Sequence, residues 1–231
     1  MQAIKLEDKN FHSDGKPKGL ILAVSAPSGT GKTTLCNMLL KEFKDIKPSV
    51  SYTTRAKRQG EKNGVSYHFI NDAEFDKMVE GNEFIEWANV FGKRYGTAYK
   101  SVFNSNRSFD ILLEIDVQGV ENLIKIYRNS RNSKDINDID IGIGAAGKPF
   151  NISRLVNVFI APPSYKDLSI RLKNRGSMDD KEAEKRLSAA SEEISKSRIY
   201  DYIITNDNLD EAYLKLKSIV IAERCRNLEK I

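Results

Sequence analysis

The residues with the clearest chemical meaning lie in the glycine-rich run at residues 26–34, directly after the continuous apolar run at residues 20–24. Glycines at this spacing let backbone N–H groups turn inward around phosphate oxygens, and the following helix adds positive potential at its N-terminus. In such a loop Lys32 reaches the β- and γ-phosphates of a nucleotide, and Thr33 can ligate Mg²⁺. The full pattern has glycine where Ala26 stands, and alanine is the smallest departure from it. The run therefore predicts a phosphate-binding loop.

A second group of basic and aromatic residues lies at residues 49–69, among glycine turns. Arg55 and Arg58 are three residues apart, so on a helical turn both guanidinium groups would emerge from one side and could clamp a phosphate. From charge alone, a solvated basic loop is the simpler interpretation.

Carboxylates mark the end of a second apolar run, at residues 111–115. Glu114 and Asp116 are two residues apart, which places them on one face of a strand, at the carboxyl edge where open α/β sheets bind ligands. That position suits carboxylates near Mg²⁺ and a substrate, although the pair could also be structural groups that cap the strand. Glu86, beside Trp87, is either a ligand-binding carboxylate or an ordinary charge at a strand edge.

A third basic cluster consists of Arg171, Arg175 and Arg186, which flank a turn predicted at Gly176 and Ser177. Guanidinium groups brought around a transferring phosphoryl group would neutralise its charge. Arg171 also has an ordinary interpretation as a helix-surface residue.

Strands and helices that alternate along the chain would position these groups. Further strands are predicted at residues 111–115, 155–160 and 202–205, each followed by a helix-like segment. This pattern predicts an α/β protein, a P-loop three-layer fold with a parallel central sheet. Helix starts are indicated where a capping oxygen stands three residues before a carboxylate, at Ser164, Ser177 and Asn208. The last helix is expected to bury Leu209, Ala212, Tyr213, Leu216, Ile219 and Val220.

Two stretches depart from this alternation. Between residues 50 and 99, short aromatic and β-branched pieces separated by glycines predict a small β-rich insert. Residues 129–151 are rich in Asn, Asp, Ser and Gly with no sustained period, which predicts an inserted surface loop. Residues 1–18 form a polar tail.

Composition narrows the class of protein. The 231 residues carry a net charge of +5 and are 40% hydrophobic, which suits one domain or one domain with a small insert. No apolar run approaches the roughly 20 residues of a membrane span, and the tail resembles neither a signal nor a transit peptide. Two distant cysteines, Cys36 and Cys225, argue against a disulfide scaffold and favour a cytoplasmic location. The positive charge could attract nucleic acid, but it equally suits small phosphate ligands.

Taken together, these segments closely resemble the guanylate kinase family from about Gly19 to Glu223. The segments that carry the resemblance, in order, are residues 26–34, 49–69, 82–87, 95–97, 114–119, 160–164 and 186–190. The resemblance implies ATP-dependent phosphorylation of GMP to GDP with Mg²⁺, in purine nucleotide metabolism. It also implies a helical lid whose arginines fold over the ATP phosphates.

The resemblance assigns roles residue by residue. The implied ATP-binding residues are Ser28, Gly29, Thr30, Gly31, Lys32, Thr33, Thr34, Arg171, Arg175 and Asn206, the last where adenine is read. The implied GMP-binding residues are Ser51, Arg55, Arg58, Tyr67, Glu86, Tyr95, Thr97, Glu114 and Asp116. Among all of these, the implied catalytic residues are Lys32, Arg55, Arg175 and Arg186. Thr33 would bind Mg²⁺ directly, and Glu114 through water.

The hydrogen-bonding groups of Glu86 and Ser51 match those of guanine. Guanine offers hydrogen-bond donors at N1 and N2 and an acceptor at O6, so Glu86 can accept from the two nitrogens while Ser51 donates to the oxygen. Adenine reverses donor and acceptor at the matching ring positions, and each buried group left unpaired costs about 1 to 3 kcal/mol. This pair of residues therefore favours guanine.

The resemblance also implies a division of the chain. We expect a P-loop core at residues 19–50, 98–170 and 197–231, a GMP-binding domain at residues 51–97 and a lid at residues 171–196. A monomer or homodimer that binds ATP and GMP, without nucleic acid or membrane, fits this division. The alternatives are a related kinase that acts on a phosphorylated sugar, a catalytically inactive domain that binds partner peptides, and a nucleic-acid-dependent NTPase.

Overall fold

The computed structural model describes residues 19–90, 92–102, 109–132, 154–173 and 180–226. In chain order the elements are β1 (Ile21–Ser25), α1 (Lys32–Glu42), β2 (Ile46–Pro48), β3 (Tyr52–Thr53), β4 (His68–Phe69), α2 (Asp72–Glu80), β5 (Phe84–Val90), β6 (Lys93–Ala98), α3 (Tyr99–Val102), β7 (Asp110–Glu114), α4 (Val117–Asn132), β8 (Leu155–Ala161), α5 (Tyr165–Lys173), α6 (Asp180–Ser195), a 3-10 turn (Ser197–Ile199), β9 (Tyr202–Thr205) and α7 (Leu209–Arg224).

The larger sheet has the strand order β2-β7-β1-β8-β9, and its neighbouring strands pair in parallel. The central strand β1 is buried along its whole length, and its side chains alternate between the two faces of the sheet. Leu22 and Val24 pack with α1 and α7, whereas Ile21 and Ala23 pack with α3 and α4. The predicted parallel sheet with helices on both faces is confirmed.

The smaller sheet has the order β4-β3-β6-β5 and packs against α2. Its core is largely aromatic, with Tyr52, Phe75 and Phe84 in contact. The predicted β-rich insert is confirmed. The helix α2 was not predicted, although Asn71 and Glu74 form a capping box, the same signal that marks the later helices.

A β-bulge in β5 joins the smaller sheet to the core of the larger one. The pairing with β6 shifts between Phe84 and Glu86, which leaves Ile85 as the extra residue. Phe84 consequently packs in the small core, while Ile85 packs with the β7 and α4 side of the large sheet. The bulge therefore sets the backbone position of Glu86, the next residue of β5.

Two predicted helix starts are confirmed, and several boundaries differ. The hydroxyl of Ser164 accepts from the N–H of Asp167, and Asn208 caps α7. In α7, Leu209 is exposed because it is the first residue after the cap. The helix α4 continues to Asn132, so residues 129–132 are helical and do not belong to the predicted loop. The rest of that loop, Ser177 and the polar tail lie outside the described residues.

The composition led to expectations about membrane-spanning segments and about the two cysteines. None of the helices there combines the length and the apolar character that crossing a bilayer requires. Cys36 is buried, Cys225 is exposed, and neither forms a disulfide.

Candidate active site

The phosphate loop lies at the carboxyl edge of the large sheet, where β1 ends. Gly29 and Gly31 have φ values of 92° and 90°, a region that glycine enters without strain. Among the described residues Asn82 is the only non-glycine with positive φ, so Ala26 replaces glycine without backbone strain. The helix α1 begins directly after the loop at Lys32, so its N-terminus is available to an anion there.

Side chains from distant segments hold this loop. The hydroxyl of Thr30 donates to the carbonyl of Pro27 at 2.8 Å. The buried Asn206 donates from Nδ2 to the carbonyl of Thr30 at 2.7 Å, and Arg171 donates from Nη1 to the carbonyl of Asn206 at 3.0 Å. Sequence reasoning did not foresee this link between the loop and the segment after β9. The expected role of Asn206 in reading adenine stays a prediction.

Oxygen ligands suitable for Mg²⁺ meet beside the loop. The hydroxyl of Thr33 donates to Oε2 of Glu114 at 3.0 Å, and Nζ of Lys32 lies 3.5 Å from the carbonyl of Ile115. In the part of the chain that the structure describes, no group of three or more His, Cys, Asp or Glu side chains is arranged around a metal position. Mg²⁺ in nucleotide sites needs only one or two protein oxygens besides phosphates and water, so Thr33 and Glu114 fit it.

The two carboxylates at the end of β7 diverge. The strand ends at Glu114, which faces the phosphate loop through Thr33. Asp116 lies beyond the strand and accepts from the N–H of Gly119 at 2.7 Å, which caps the first turn of α4. The prediction that both lie on one face of a strand is therefore wrong, because the alternation of a strand does not extend past Glu114. The end of β7 instead supplies Glu114 to the phosphate loop and Asp116 to the start of α4.

Two of the predicted base-reading residues, Ser51 and Glu86, lie at the smaller sheet and are linked there through Thr97. Glu86 pairs with Thr97 across β5 and β6, and the hydroxyl oxygens of Ser51 and Thr97 are 3.4 Å apart. Burial raises the pKa of Glu86 to about 7, and the negative charge of Asp116 contributes, against hydrogen bonds from Thr97 and the charge of Lys32. A half-buried carboxylate with hydrogen-bond donors behind it can accept from a ligand in front.

Arg55 is held in place by an extensive set of contacts. Its Nη1 and Nη2 donate to the two oxygens of Glu61 at 3.0 and 2.7 Å, and its Nε donates to the hydroxyl of Tyr95 at 3.2 Å. The guanidinium carbon lies 5.5 Å from the ring centre of Tyr67 and 5.7 Å from that of Phe69. Arg55, Tyr67 and Tyr95, three of the residues expected at the acceptor phosphate, are therefore brought together.

Arg58 is placed differently from the expectation. Residues 54–62 are not helical, and Arg58 begins a turn in which Glu61 donates its N–H to the Arg58 carbonyl at 3.2 Å. The backbone N–H of Arg58 donates to Oε2 of Glu61 at 2.7 Å, while the residue as a whole is exposed. The helical turn on which both guanidinium groups would emerge from one side is therefore absent, because Glu61 organises this segment through its bonds to Arg55 and Arg58.

The remaining predicted residues are dispersed. Ser28 and Thr34 are exposed within the residue 26–34 run, Thr34 in the first turn of α1, and Arg186 is half-buried on α6. Arg175 lies outside the described residues. Sequence reasoning missed Glu193 on α6, whose pKa is raised to about 7 by burial and by the charge of Asp116. No pattern in the sequence of α6 shows which face of the helix lies against the edge of the sheet.

Comparisons of the sequence and of the fold with known proteins lead to the same family. The family profile described as guanylate kinase matches residues 18–132 and 147–223, and the unmatched interval lies within the predicted inserted loop. The chain is 41% identical over 212 residues to a guanylate kinase of Geobacter metallireducens, covering 91% of this chain and 92% of that protein. It is 35% identical to a guanylate kinase of Rickettsia prowazekii, covering 92% and 95%. The crystal structure of guanylate kinase from Anaplasma phagocytophilum superposes with a TM-score of 0.65 at 32% identity, covering 90% of this chain and 88% of that one.

Proposed function

The chain belongs to the guanylate kinase family, and from that premise we propose that it transfers the γ-phosphoryl group of ATP to GMP, giving ADP and GDP. The observation that carries the proposal is the divergence of the two carboxylates at the end of β7. Glu114 contacts Thr33 of the phosphate loop, and Asp116 lies close to Glu86, a residue of the smaller sheet. One strand end thereby joins a position for ATP to a position for a nucleobase.

The reaction requires alignment and charge more than proton transfer. An oxygen of the GMP phosphate attacks the γ-phosphorus, a new P–O bond forms, and the bond to the bridging oxygen of ADP breaks. The attacking oxygen is already anionic, so no strong general base is needed. Lys32 and Arg55 approach the phosphates from the core and the smaller sheet, and Arg175 and Arg186 approach from the lid. When bound at Thr33 and Glu114, Mg²⁺ supplies further charge neutralisation on the ATP phosphates.

The smaller sheet selects the acceptor. Glu86 accepts from N1 and N2 of guanine, Ser51 donates to O6, and Asp116 addresses the base from the core side. Arg55, Arg58, Tyr67 and Tyr95 hold the acceptor phosphate. These assignments define residues 51–97 as the GMP-binding domain and residues 171–196 as the lid, and closure of the two excludes water from the transfer.

The alternatives are disfavoured by particular features. A sugar phosphate offers no pair of adjacent N–H donors for the two oxygens of the half-buried Glu86, and an inactive interaction domain has no need of the positive φ at Gly29 and Gly31. We further propose a cytoplasmic enzyme, since two unpaired cysteines suit a reducing compartment. We also propose that the protein acts on ATP and GMP as a monomer or homodimer, without nucleic acid or membrane.

A panel of acceptors tests the proposal. ADP formation from ATP and Mg²⁺ is followed with GMP, AMP, UMP, CMP or ribose bisphosphate as the acceptor. Turnover with GMP alone is expected. Preferential turnover with ribose bisphosphate would support the sugar-phosphate alternative, and GMP binding without any turnover would support the inactive interaction domain.

A further inference from the structure

We propose that Gly119 is a specificity-determining position, at which the missing side chain leaves the space that Glu86 needs to face guanine. The inference rests on the proposed function, because it concerns how that site recognises its acceptor. Gly119 is buried in the first turn of α4, on the larger sheet's side of the boundary between the two sheets.

Backbone conformation does not explain a glycine at this position. Gly119 is absent from the glycines with positive φ, so its backbone is one that any residue adopts. Glycine in a helix is less favourable than alanine by up to about 1 kcal/mol. Local structure therefore favours alanine at residue 119.

The space around Gly119 explains the glycine. A Cβ built there would lie 2.9 Å from Cγ and 3.1 Å from Cδ of Glu86, which is closer than carbon atoms pack. The same position is 3.3 Å from Oδ1 of Asp116. A methyl group would therefore displace the carboxylate of Glu86 from its present position.

Glu86 has little room to accommodate such a methyl group. The bulge in β5 fixes its backbone, Thr97 is its cross-strand neighbour, and the residue is half-buried. If the carboxylate moved away from α4, its two oxygens would no longer face the edge of guanine that carries N1 and N2. A displaced carboxylate can no longer accept hydrogen bonds from both nitrogens at the same time.

Gly119 also orients the second carboxylate. Its N–H donates to Oδ1 of Asp116 at 2.7 Å, which leaves the other oxygen of Asp116 for the substrate. Because this bond is made by the backbone, an alanine at residue 119 keeps it. Alanine therefore changes the space for Glu86 without removing the cap of α4.

The test is the substitution Gly119→Ala, with GMP and IMP as acceptors. IMP lacks the N2 amino group, so it reports whether Glu86 still spans both nitrogens. We expect KM for GMP to rise about tenfold, which corresponds to one lost hydrogen bond. KM for IMP should change less, so the preference for GMP over IMP falls, while kcat at saturating GMP stays within about twofold of the wild-type value. Lys125→Ala, at an exposed site later in α4, is the matched control for helix propensity and should leave both constants unchanged.

A double-mutant cycle with Glu86→Ala separates this role from a structural one. Removing the Glu86 side chain beyond Cβ removes the clash, so Gly119→Ala should add no further loss in that background. An equal loss in both backgrounds, or an unchanged GMP preference in the single variant, would overturn the proposal. If Gly119→Ala alone fails to fold, the double variant should fold; failure of both would show that Gly119 serves the helix instead of Glu86.

Calorimetric binding of GMP to the wild type and to Gly119→Ala keeps the two proposals apart. A wild-type protein that binds GMP without turnover would contradict the proposed reaction. The weaker binding expected of Gly119→Ala would still decide the role of Gly119.

Discussion

At the scale of single residues, the candidate site depends on charged and polar groups whose positions are fixed by neighbours. Arg55 is oriented by Glu61, Asp116 by the N–H of Gly119, and Thr33 by Glu114. Preorganised charges of this kind stabilise a transition state without having to reorganise during the reaction. The predictions at this scale follow from removing one charge or one neighbour at a time.

Lys32→Ala is expected to lower kcat by about a hundredfold or more, as does removal of a transition-state donor in other enzymes. The fold should persist, because within the described part of the chain Lys32 Nζ makes one long hydrogen bond, to the carbonyl of Ile115. Steady-state turnover and thermal unfolding measure the two effects. Lys41→Ala, in the last turn of the same helix, is the control. Near-normal turnover in Lys32→Ala would show that the loop does not carry the chemistry.

Glu61→Gln is expected to raise KM for GMP several-fold. The Arg55 guanidinium holds the pKa of Glu61 at about 2, so the wild-type carboxylate is ionised at any assay pH and binds Arg55 through both oxygens. Glutamine keeps the shape but loses the charge and one acceptor. A decrease in KM would mean that Glu61 competes with the substrate phosphate for Arg55. Glu80→Gln, exposed at the end of α2, is the control.

Glu86→Gln should show a stability difference that depends on pH. Burial raises the pKa of Glu86 from 4.5 to about 7 in the folded chain, so the folded state binds more protons than the unfolded one between these values. The wild type should therefore lose stability as pH rises through this window, whereas the variant should not lose this contribution. The unfolding free energy of the variant relative to the wild type should grow by about 2 to 3 kcal/mol from pH 4 to pH 8. Denaturant titrations at several pH values measure it, and a constant difference would contradict the cause given for the raised pKa.

At the scale of elements, strands could be predicted and the contacts between elements could not. Residues 111–115 and 155–160 are apolar because those strands are buried between helices, residues 202–205 form an edge strand in which Ile204 is buried, and the structure has strands at all three places. The helical turn expected around Arg55 is absent because an ion pair with Glu61 organises that segment, and spacing alone does not reveal such a pair. Glu193 was missed because the face that a helix presents to a sheet edge is set by tertiary packing.

Glu223→Ala should destabilise the fold without changing the KM for GMP. Glu223, on α7, is buried and paired with Arg154 at the start of β8, and it accepts a hydrogen bond from the hydroxyl of Tyr202. Removing one partner of a buried pair leaves an uncompensated charge, at a loss of about 3 to 5 kcal/mol. The pair lies at the amino ends of the strands, away from the carboxyl edge that holds the site. Chemical unfolding and GMP kinetics test both halves, and a large change in KM would contradict this separation.

At the scale of the whole molecule, two sheets share one boundary at which the proposed substrates meet. The larger sheet presents Lys32, Thr33 and Glu114, and the smaller one presents Glu86 and Arg55. Family membership and fold class were predictable from the order of the sequence segments, because those segments surround the strand ends. The space at Gly119 was not predictable, because it depends on how closely α4 and β5 approach across the boundary.

The most direct test of this arrangement follows a labelled γ-phosphoryl group from ATP in the presence of Mg²⁺ and GMP. If the two sites face one another as proposed, the label is transferred directly and appears in the β-phosphate of GDP, with little released as inorganic phosphate. Label found mainly as inorganic phosphate, at a rate that does not depend on GMP, would contradict the account and show an ATPase instead of a guanylate kinase reaction.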